Sequence, residues 1–456
     1  PFALSDEQLE VLRRYLIDGE SWVVHGGTMD ISSCGRQLFP GQPARKYNTL
    51  MGVFRLMEKV DPENADRYAA FQEGDWDTEP TEEDMASGRY FWRSDYLVHR
   101  SSDWFMSVKM NSTRTIGSET CNSENMQGYY LGDGATYFYQ RGDEYEDIFP
   151  VWDWRSLPGV TCAWNDSPAP VPNVRDRNKS AFVGGLTNGH VSIAAMDYNR
   201  DGVKAKKAYF CVDGMVFFLG AGITSDRDEP ILTSVNQCLL RGETYSLGND
   251  LGAIYEPEDG EYDRLYVAHH DSIAYVFHNS PKARILHGPQ HGTWKGIRTP
   301  MSDDVVTEEV FSLAIDHGVK PTDAKYAYCV IPGLEERSTA TSIWQPWQYL
   351  MEKWLVNDAS LQAYVGKDCA MLVIHEAGEC DLYAYRNVHI TTHHIIEVDR
   401  PCLVIMEWDD DQIDLVVSDP TQKEESIRIT VDGDEHKIDF PQGGMAGSSV
   451  GISIPR

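Results

Sequence analysis

The chain has 456 residues, which is enough for about two or three domains. Hydrophobic residues make up 41% and aromatic residues 11%, so we expect a large packed core and no extensive disorder. No apolar run approaches the roughly 20 residues of a transmembrane helix. The net charge is −31, and a field of that sign excludes nucleic acid and anionic membranes as favoured partners. An anionic ligand would need a locally basic cleft.

The beginning of the chain and its cysteines say little about compartment. The opening "PFALSDEQLEVLRRY" has neither a signal peptide's basic-then-apolar pattern nor an initiator methionine, which indicates a processed or truncated chain. The nine cysteines are widely spaced and form no CxxC pair. They are predicted to be mostly free, buried thiols in strands.

The first part of the chain has helical patterning. Ser5 and Gln8 have the spacing of a capping box before an apolar face. A second helical face runs through Tyr47, Leu50, Met51, Phe54 and Met57 in "RKYNTLMGVFRLMEKV". In "DPENADRYAAFQEG", Asp61 is a plausible cap, and Pro62 suits the first position of a third helix. An acidic loop closes this section near residue 88.

Strand patterns follow over some two hundred residues. Strings such as "KAYFCVDGMVFFLGAGI" and "RLYVAHHDSIAYVFH" are aromatic and β-branched, and Gly, Asp, Asn and Pro separate them. This predicts large antiparallel sheets packed face to face. The composition shifts at "GLEERSTATSIWQPWQYLMEK", after which short strands predict a separate, smaller β-sandwich. The fold class is mainly β with an N-terminal α segment.

The stretch "IGSETCNSENMQGYYLGDG", residues 116–134, crowds carboxylates and amides into a few positions. Turn statistics alone favour an ordinary polar turn between two strands. The alternative is a carboxylate and an amide placed side by side for chemistry.

The region around this stretch resembles the central β-domain of polysaccharide lyase family 8, which contains chondroitin, hyaluronate and xanthan lyases. The resemblance begins at "GRYFWRSDYLVHRSSDWFMSVKMNSTRTIGSETCNSENMQGYYLGDG" and continues through "VAHHDSIAYVF", "HGTWKGIR", "FSLAIDHGVKP" and "YAYCVIPG". It also reaches back to "MDISSCGRQ" at residues 29–37. The matching strings lie in order between about residues 20 and 335.

The resemblance implies an architecture of three parts. Residues 1–88 correspond to the last helices of an incomplete α/α toroid, 89–345 to a large antiparallel β-sandwich domain, and 346–456 to a smaller β-sandwich. The bulk of the toroid, which in the family carries the catalytic Asn, His and Tyr, is expected to lie outside this chain. Either the chain is a fragment or the missing segment is a separate polypeptide, and residues 1–456 alone are expected to lack elimination activity.

The activity implied is β-elimination at a uronic acid, with chondroitin sulfate or hyaluronan as the favoured polymer. Xanthan or another uronate glycan is an alternative, and so is a non-catalytic carbohydrate-binding β-protein. The resemblance implies a secreted or periplasmic location and an anionic polysaccharide partner, with neither nucleic acid nor membrane. No cofactor is expected, and a structural Ca²⁺ is left open.

Four site residues are carried over by the resemblance. Glu119 is expected to orient a catalytic residue or the substrate, and Asn122 to position the substrate or polarise its carboxylate. Arg36 is expected to bind the substrate or stabilise the proton-accepting tyrosine, although a surface arginine is the alternative. The family's second arginine, four positions later, is here Pro40. Arg114 is expected to contact a substrate anion, or else to form a strand-edge ion pair.

Several other motifs favour structural roles. "DYNRDG" at 197–202 mimics half of a calcium loop, but position twelve is Ala208, so a turn is predicted. In "HITTHH", His389, His393 and His394 have metal-like spacing without supporting ligands, and a solvated strand is predicted. "EWDDDQID" is predicted to be a solvated, edge-protecting charge run, with a surface cation site as the alternative.

Three histidines and two tyrosines are alternative acid–base groups. The pair His269 and His270 is assigned to packing, because the same string is a structural part of the family's β-domain. From His25 the family's His-to-Tyr interval reaches Cys34, so His25 is predicted to be a helix-end residue. Activity of the isolated chain would require the base to lie within it, with His25, Tyr129 and Tyr130 as the candidates.

Overall fold

The computed structural model describes residues 4–72, 86–101, 103–248, 252–255, 259–334, 355–382 and 394–456. The helices in these ranges are α1 (Asp6–Ile17), α2 (Ile31–Cys34), α3 (Gln42–Val60), α4 (Ala65–Gln72) and α5 (Trp294–Ile297). Short 3₁₀ turns cover Glu20–Val23, Pro62–Asn64, Phe149–Val151 and Gly443–Met445.

The helical start largely matches its sequence pattern. The Ser5 hydroxyl accepts from the Gln8 amide at 3.3 Å, and the Gln8 side chain accepts from the Ser5 amide at 3.0 Å, which confirms the capping box. The predicted apolar residues of the second helix are buried along α3, except that Tyr47 is half-buried.

The third predicted helix needs a correction. Pro62 opens a 3₁₀ turn, and α4 begins only at Ala65. The Asp61 carboxylate does not cap the turn, because it accepts hydrogen bonds from the side chains of Arg13 and Tyr68, each at 2.9 Å. Asp61 therefore ties this turn to α1. The acidic loop predicted after it lies mostly outside the described residues.

The strands occupy most of the remaining chain. As far as β20 they are β1 (Val24–His25), β2 (Thr28–Met29), β3 (Ala86–Phe91), β4 (Tyr96–Ser101), β5 (Phe105–Lys109), β6 (Ala135–Tyr139), β7 (Thr161–Ala163), β8 (Val183–Thr187), β9 (Ser192–Arg200), β10 (Val203–Val212), β11 (Met215–Ser225), β12 (Pro230–Leu239), β13 (Thr244–Gly248), β14 (Gly252–Tyr255), β15 (Gly260–Tyr262), β16 (Leu265–His270), β17 (Ile273–Phe277), β18 (Ala283–Thr293), β19 (Val305–Val319) and β20 (Ala324–Pro332).

The C-terminal strands are β21 (Leu355–Asn357), β22 (Leu361–Val365), β23 (Cys369–Ile374), β24 (Gly378–Asp381), β25 (Ile395–Val398), β26 (Cys402–Trp408), β27 (Gln412–Ser418), β28 (Ser426–Val431), β29 (Asp434–Asp439) and β30 (Val450–Pro455). Neighbouring strands are joined mainly by short turns, as expected for antiparallel pairing.

The described strands form six antiparallel sheets. The largest has nine strands in the order β14-β13-β16-β17-β20-β11-β10-β9-β8. The others are a five-stranded sheet (β15-β18-β19-β12-β7), a six-stranded sheet (β21-β22-β23-β26-β27-β30), two four-stranded sheets (β3-β4-β5-β6 and β24-β25-β28-β29) and the β1-β2 pair. The expected mainly β, antiparallel fold is confirmed.

The sheets stack in layers. One face of the nine-stranded sheet shares a core with the five-stranded sheet, the β3–β6 sheet and the helices. Its other face packs on the six-stranded sheet through side chains such as Phe210, Phe217, Tyr364 and Ile405. The six-stranded sheet in turn packs its far face on the β24-β25-β28-β29 sheet. The six-stranded sheet is therefore buried on both faces.

The cysteines follow the prediction closely. All nine are free thiols; seven lie in strands, and Cys34 lies in α2. Cys121 is the exposed exception, in the 116–134 stretch. Of the boundaries predicted from sequence, residue 88 falls inside β3, and residue 345 lies outside the described residues.

Candidate active site

The loop between β5 and β6 is built around a tight turn that presents Asn122. The Glu124 amide donates to the Cys121 carbonyl at 3.0 Å. Asn122, Ser123 and Asn125 have φ values of 54°, 59° and 56°, in the left-handed region that asparagine tolerates better than most residues. The sequence "CNSEN" thus places its asparagines where the backbone needs them.

Two contacts fix the loop in place. The buried Asn125 amide donates to the Ser118 hydroxyl at 2.7 Å and to the Glu119 carbonyl at 2.9 Å. The Ser123 carbonyl accepts from the Thr299 amide at 3.2 Å, just beyond α5. Because both ends of the turn are held, Asn122 projects from a defined backbone.

Arg36 joins the helical segment to this loop. Its Nη1 donates to Glu119 Oε1 at 2.5 Å, and its Nε donates to Glu124 Oε2 at 3.2 Å. Glu119 and, second, Glu124 raise the pKa of Arg36 further above its ordinary value. The structure therefore brings together Arg36 and Glu119, which are 83 positions apart in sequence.

Two further residues, which the sequence reasoning did not assign, extend this cluster. Glu124 Oε1 lies 3.5 Å from Arg298 Nη2, and the Arg298 guanidinium lies 4.7 Å from the centre of the Phe39 ring. The order Glu119, Arg36, Glu124, Arg298 alternates negative and positive charge. The carboxylate crowding at 119–125 was visible in the sequence, but nothing local linked it to Arg298.

Asp30 anchors the segment that carries Arg36. Its carboxylate is buried and accepts from the Tyr96 hydroxyl at 2.6 Å and the Tyr139 hydroxyl at 3.0 Å. Burial raises the pKa of this carboxyl above its ordinary value. The segment around α2 is therefore fastened to β4 and β6, directly beside the loop.

The polar groups on the open side of the cluster are available to a ligand. Asn122 is exposed, and its amide makes no hydrogen bond to any residue that the structure describes. The Glu119 side chain is 37% exposed, and only its Oε1 is engaged by Arg36. The loop thus carries an ion pair between Arg36 and Glu119 and, three positions after Glu119, an exposed amide.

Arg114 does not join this cluster. Its guanidinium lies 3.1 Å from the fully buried Asp95 carboxylate. It also donates to the carbonyl oxygens of Ala181, Val183 and Thr421 at 2.8 to 3.1 Å. These contacts match the ion-pair alternative for Arg114, and its predicted substrate contact stays a prediction.

The other acid–base candidates occupy structural positions. His25 lies in β1, not at a helix end, and its Nε2 is 3.0 Å from the Gln140 carbonyl oxygen. Tyr130 is buried and donates to Asp201 at 2.8 Å. The Tyr129 ring lies 3.9 Å below the Arg200 guanidinium.

The paired histidines of β16 are packed. His270 stacks on Phe311 with ring centres 4.4 Å apart, and its Nε2 accepts from the Arg241 amide at 3.0 Å. Burial lowers the pKa of His270 to about 4. His269 Nε2 lies 2.8 Å from the Leu334 carbonyl oxygen. Both histidines are placed as the packing assignment expects.

The motifs with metal-like spacing gain no support in the described ranges. "DYNRDG" is the β9–β10 turn, with Asp201 at φ 51° and Gly202 at φ 76°. "EWDDDQID" forms the β26–β27 turn, where Asp409 accepts from the amides of Asp411 and Gln412. His389 and His393 lie outside the described residues. His394 is buried, not solvated as predicted, and pairs with Asp432 at 2.6 Å.

Across the described ranges no cluster of three or more His, Cys, Asp or Glu side chains is arranged to hold a metal ion. That the protein needs no cofactor stays a prediction, and whether it binds a structural Ca²⁺ stays open. None of the helices in these ranges combines the length and apolarity that a membrane crossing requires.

Comparison with known proteins identifies the family. Residues 86–343 match the super-sandwich domain of polysaccharide lyase family 8, and residues 355–428 match the C-terminal beta-sandwich domain of the same family. The chain belongs to polysaccharide lyase family 8. The loop with Glu119 and Asn122 lies within the super-sandwich match, whereas Arg36 lies before it.

Individual relatives agree with this assignment. The chain is 31% identical to a chondroitinase-AC from Pedobacter heparinus over 99% of its own length and 64% of that protein. It is 29% identical to a hyaluronate lyase from Thermasporomyces composti over 75% of its own length and 43% of that protein. The chain therefore spans less than two thirds of these family members.

Solved structures show the same fold. A chondroitinase AC lyase structure superimposes with a TM-score of 0.87 at 29% identity, covering 99% of this chain and 66% of that one. A Paenibacillus xanthan lyase superimposes with a TM-score of 0.84 at 19% identity over 99% of this chain and 48% of that one, which supports the fold alone.

Proposed function

We propose that the natural protein is a polysaccharide lyase that cleaves a uronate-containing glycosaminoglycan, chondroitin sulfate or hyaluronan, by β-elimination. The observation that carries this proposal is the contact of Arg36 with Glu119 beside the unpartnered amide of Asn122. The family's relatives named chondroitinase-AC and hyaluronate lyase supply the substrate class.

The chemistry explains why such groups are needed. Elimination removes the proton at C5 of the uronic acid and breaks the bond between C4 and the glycosidic oxygen. The neighbouring carboxylate opposes the build-up of negative charge at C5, so donors must stabilise the enolate-like transition state. The Asn122 amide can donate to the carboxylate, and Arg36 supplies a fixed positive fork.

Glu119 has a positioning role in this proposal. Its Oε1 holds Arg36, and the side chain is 37% exposed, so the carboxylate can also accept from a sugar hydroxyl or orient a proton-transferring group. Arg36, Glu119 and Asn122 bind and stabilise, and we assign the proton transfers to none of them.

The proposal extends to the finer architecture and the location. We infer that α1 to α4, within residues 1–88, are the last helices of an α/α toroid. The described strands of residues 89–345 then form a large β-sandwich domain, and those of residues 346–456 form a smaller one. The nine-stranded sheet has a core with the five-stranded sheet, and the six-stranded sheet has another with the β24-β25-β28-β29 sheet, which supports two sandwiches. A secreted or periplasmic location follows from a polymeric substrate outside the cell.

The test is ultraviolet absorbance of the conjugated, unsaturated uronate after incubating the full-length natural protein with a panel of uronate polymers. We expect absorbance to rise with chondroitin sulfate or hyaluronan. A rise with xanthan alone would select the alternative polymer. Binding without any rise would select a non-catalytic carbohydrate-binding protein and overturn the lyase.

A further inference from the structure

A second polar surface lies close to the Glu119 loop. We call it the basic cleft and define it by Arg175, Arg177, Lys179, Arg200 and Tyr129. It is an open cavity of about 460 Å³. In a chain with a net charge of −31, such a concentration of cations is unusual.

Three of these cations are free to attract a ligand. Arg175, Arg177 and Lys179 are exposed, and none forms an ion pair with a carboxylate in the described part of the chain. The Arg177 Nη1 makes a long contact of 3.4 Å with the Thr113 carbonyl oxygen. Three unpaired positive charges within five positions therefore face solvent.

The acidic residues at the cleft do not cancel this charge. Asp201 is engaged by the Tyr130 hydroxyl at 2.8 Å and by Arg227 at 3.5 Å. Asp133 neutralises the buried Arg200 at 2.5 Å. Asp176 is then the one remaining lining carboxylate against three exposed cations.

The floor of the cleft is rigid. Asn178 is buried, its amide N–H donates to Asn111 Oδ1 at 2.7 Å, and its side chain donates to the carbonyl oxygens of Asn111 and Asp197 at 3.2 and 2.9 Å. Because Asn178 lies between Arg177 and Lys179, these bonds fix the backbone from which both cations project.

The cleft and Glu119 share the loop between β5 and β6, because Tyr129 of that loop lines the cleft. Arg200 Nη1 donates to the Tyr129 carbonyl at 3.1 Å. Gly117 packs so tightly here that a Cβ on it would lie 3.3 Å from the same Nη1. Glu119 follows two positions later, so its Cα lies within about 7 Å of the Gly117 Cα.

We propose that the basic cleft binds the anionic groups, sulfate esters or carboxylates, of a glycan chain that extends from the Glu119 loop. The place where the glycan is cleaved rests on the proposed function. The positive charge of the cleft is independent of it. Arginine forks pair with planar or tetrahedral oxyanions, and an unpaired cation loses little by doing so. The cleft overrides locally the repulsion that the whole chain exerts on a polyanion.

The test removes the three exposed charges from the full-length natural protein. The variant is Arg175→Ser/Arg177→Ser/Lys179→Ser. Its dissociation constants for size-defined chondroitin sulfate and hyaluronan oligosaccharides are measured by calorimetry over a range of salt concentrations. We expect binding to weaken about tenfold and to depend less steeply on salt, since each exposed ion pair contributes modestly.

A matched control removes the same charge elsewhere. Lys367→Ser/Arg428→Ser/Lys437→Ser takes two lysines and one arginine from the C-terminal strands and turns and should bind as the unmodified protein does. Both variants should keep the thermal unfolding temperature, because all the altered side chains are exposed.

The outcomes separate the two proposals. Weakened binding of chondroitin sulfate alone assigns the cleft to sulfate esters, and weakened binding of both polymers assigns it to carboxylates. Binding equal to that of the control variant overturns the cleft. Because the dissociation constant and the unsaturated product are separate measurements, absence of unsaturated product overturns the lyase while leaving the cleft standing.

Discussion

Arg36 and Arg114 are the two arginines that the family resemblance selects, and they lie in opposite surroundings. Arg36 pairs with Glu119, whose side chain is 37% exposed, at a surface that also carries Asn122. Arg114 pairs with Asp95, whose side chain is fully buried, and donates further hydrogen bonds to main-chain carbonyl oxygens.

The difference is that Arg36 pairs with an exposed carboxylate and Arg114 with a buried one. An exposed carboxylate keeps lone pairs for a substrate, whereas a buried carboxylate needs its cation to offset the cost of burial. Removing Arg36 or its neighbours should therefore affect turnover, and removing Arg114 should affect folding.

The strongest effect is expected at the loop. Glu119→Ala and Asn122→Ala in the full-length natural protein should each lower turnover by about 10²–10³, because a transition-state donor or its support is lost. Thermal unfolding should be almost unchanged. The measurement is the rate of unsaturated-uronate absorbance with chondroitin sulfate, and Ser123→Ala in the same turn is the control. Near-normal turnover in both variants would show that the loop is a structural turn without a role in catalysis.

At the second arginine the effect should be on stability. Arg114→Ala leaves Asp95 buried without its cation, so urea unfolding should show a loss of about 2–4 kcal/mol. The Ser112 hydroxyl, 2.6 Å from Asp95, limits the loss. The exposed neighbour Arg93 provides the control variant, Arg93→Ala. A raised KM with unchanged stability would instead make Arg114 a substrate contact.

An intermediate effect is expected at Arg298. Arg298→Ala removes the cation beside Glu124, so Arg36 loses part of its fixed geometry, and turnover should fall about tenfold. Arg298→Lys restores charge without the fork and should recover part of that loss. Turnover and unfolding are both measured. A pure stability loss with normal turnover would confine Arg298 to packing on Phe39.

The smallest effect concerns the pH dependence of stability. Asp30 is buried beside hydroxyl groups, and burial raises the pKa of its carboxyl above 3.8 in the folded state. Between 3.8 and the folded-state pKa the folded chain binds more protons than the unfolded one, so this group's contribution to stability falls as pH rises.

Asp30→Asn removes that contribution. The free energy of unfolding of the variant, relative to the unmodified chain, should therefore increase with pH by up to about 1.4 kcal/mol per pH unit within the window. Denaturant unfolding at several pH values provides the measurement. A pH-independent difference between the two proteins would show that the carboxyl is not perturbed.

Much of the local structure could be predicted from sequence. The Ser5 capping box and the apolar face of α3 depend on neighbours three or four positions apart, which a helix places together. The turn at Asp201 and Gly202 could also be predicted, because aspartate and glycine are residue types that tolerate positive φ. The carboxylates and amides of the loop at Glu119 are contiguous in sequence, but turn statistics favour an ordinary turn there, and the family resemblance is what predicts a site.

The cap prediction that was wrong and the site residue that was missed both depend on partners distant in sequence. Asp61 forms no cap because Arg13, 48 positions away, engages its carboxylate. Arg298 reaches Glu124 only once β18 and α5 are folded against the loop. Whether an arginine pairs with an exposed or a buried carboxylate is likewise decided by tertiary packing, which no local spacing records.

The six-stranded sheet has a consequence for how this protein could be divided. Its alternate side chains serve two cores, with Met371 and Val373 facing the nine-stranded sheet and Ala370 and Leu372 facing the C-terminal sheet. A truncation before β21 would remove the six-stranded sheet and expose an apolar face of the nine-stranded sheet, which would promote aggregation. The C-terminal unit is therefore not an interchangeable module. Gene rearrangement or protein engineering would have to move both sheets and their shared interface together.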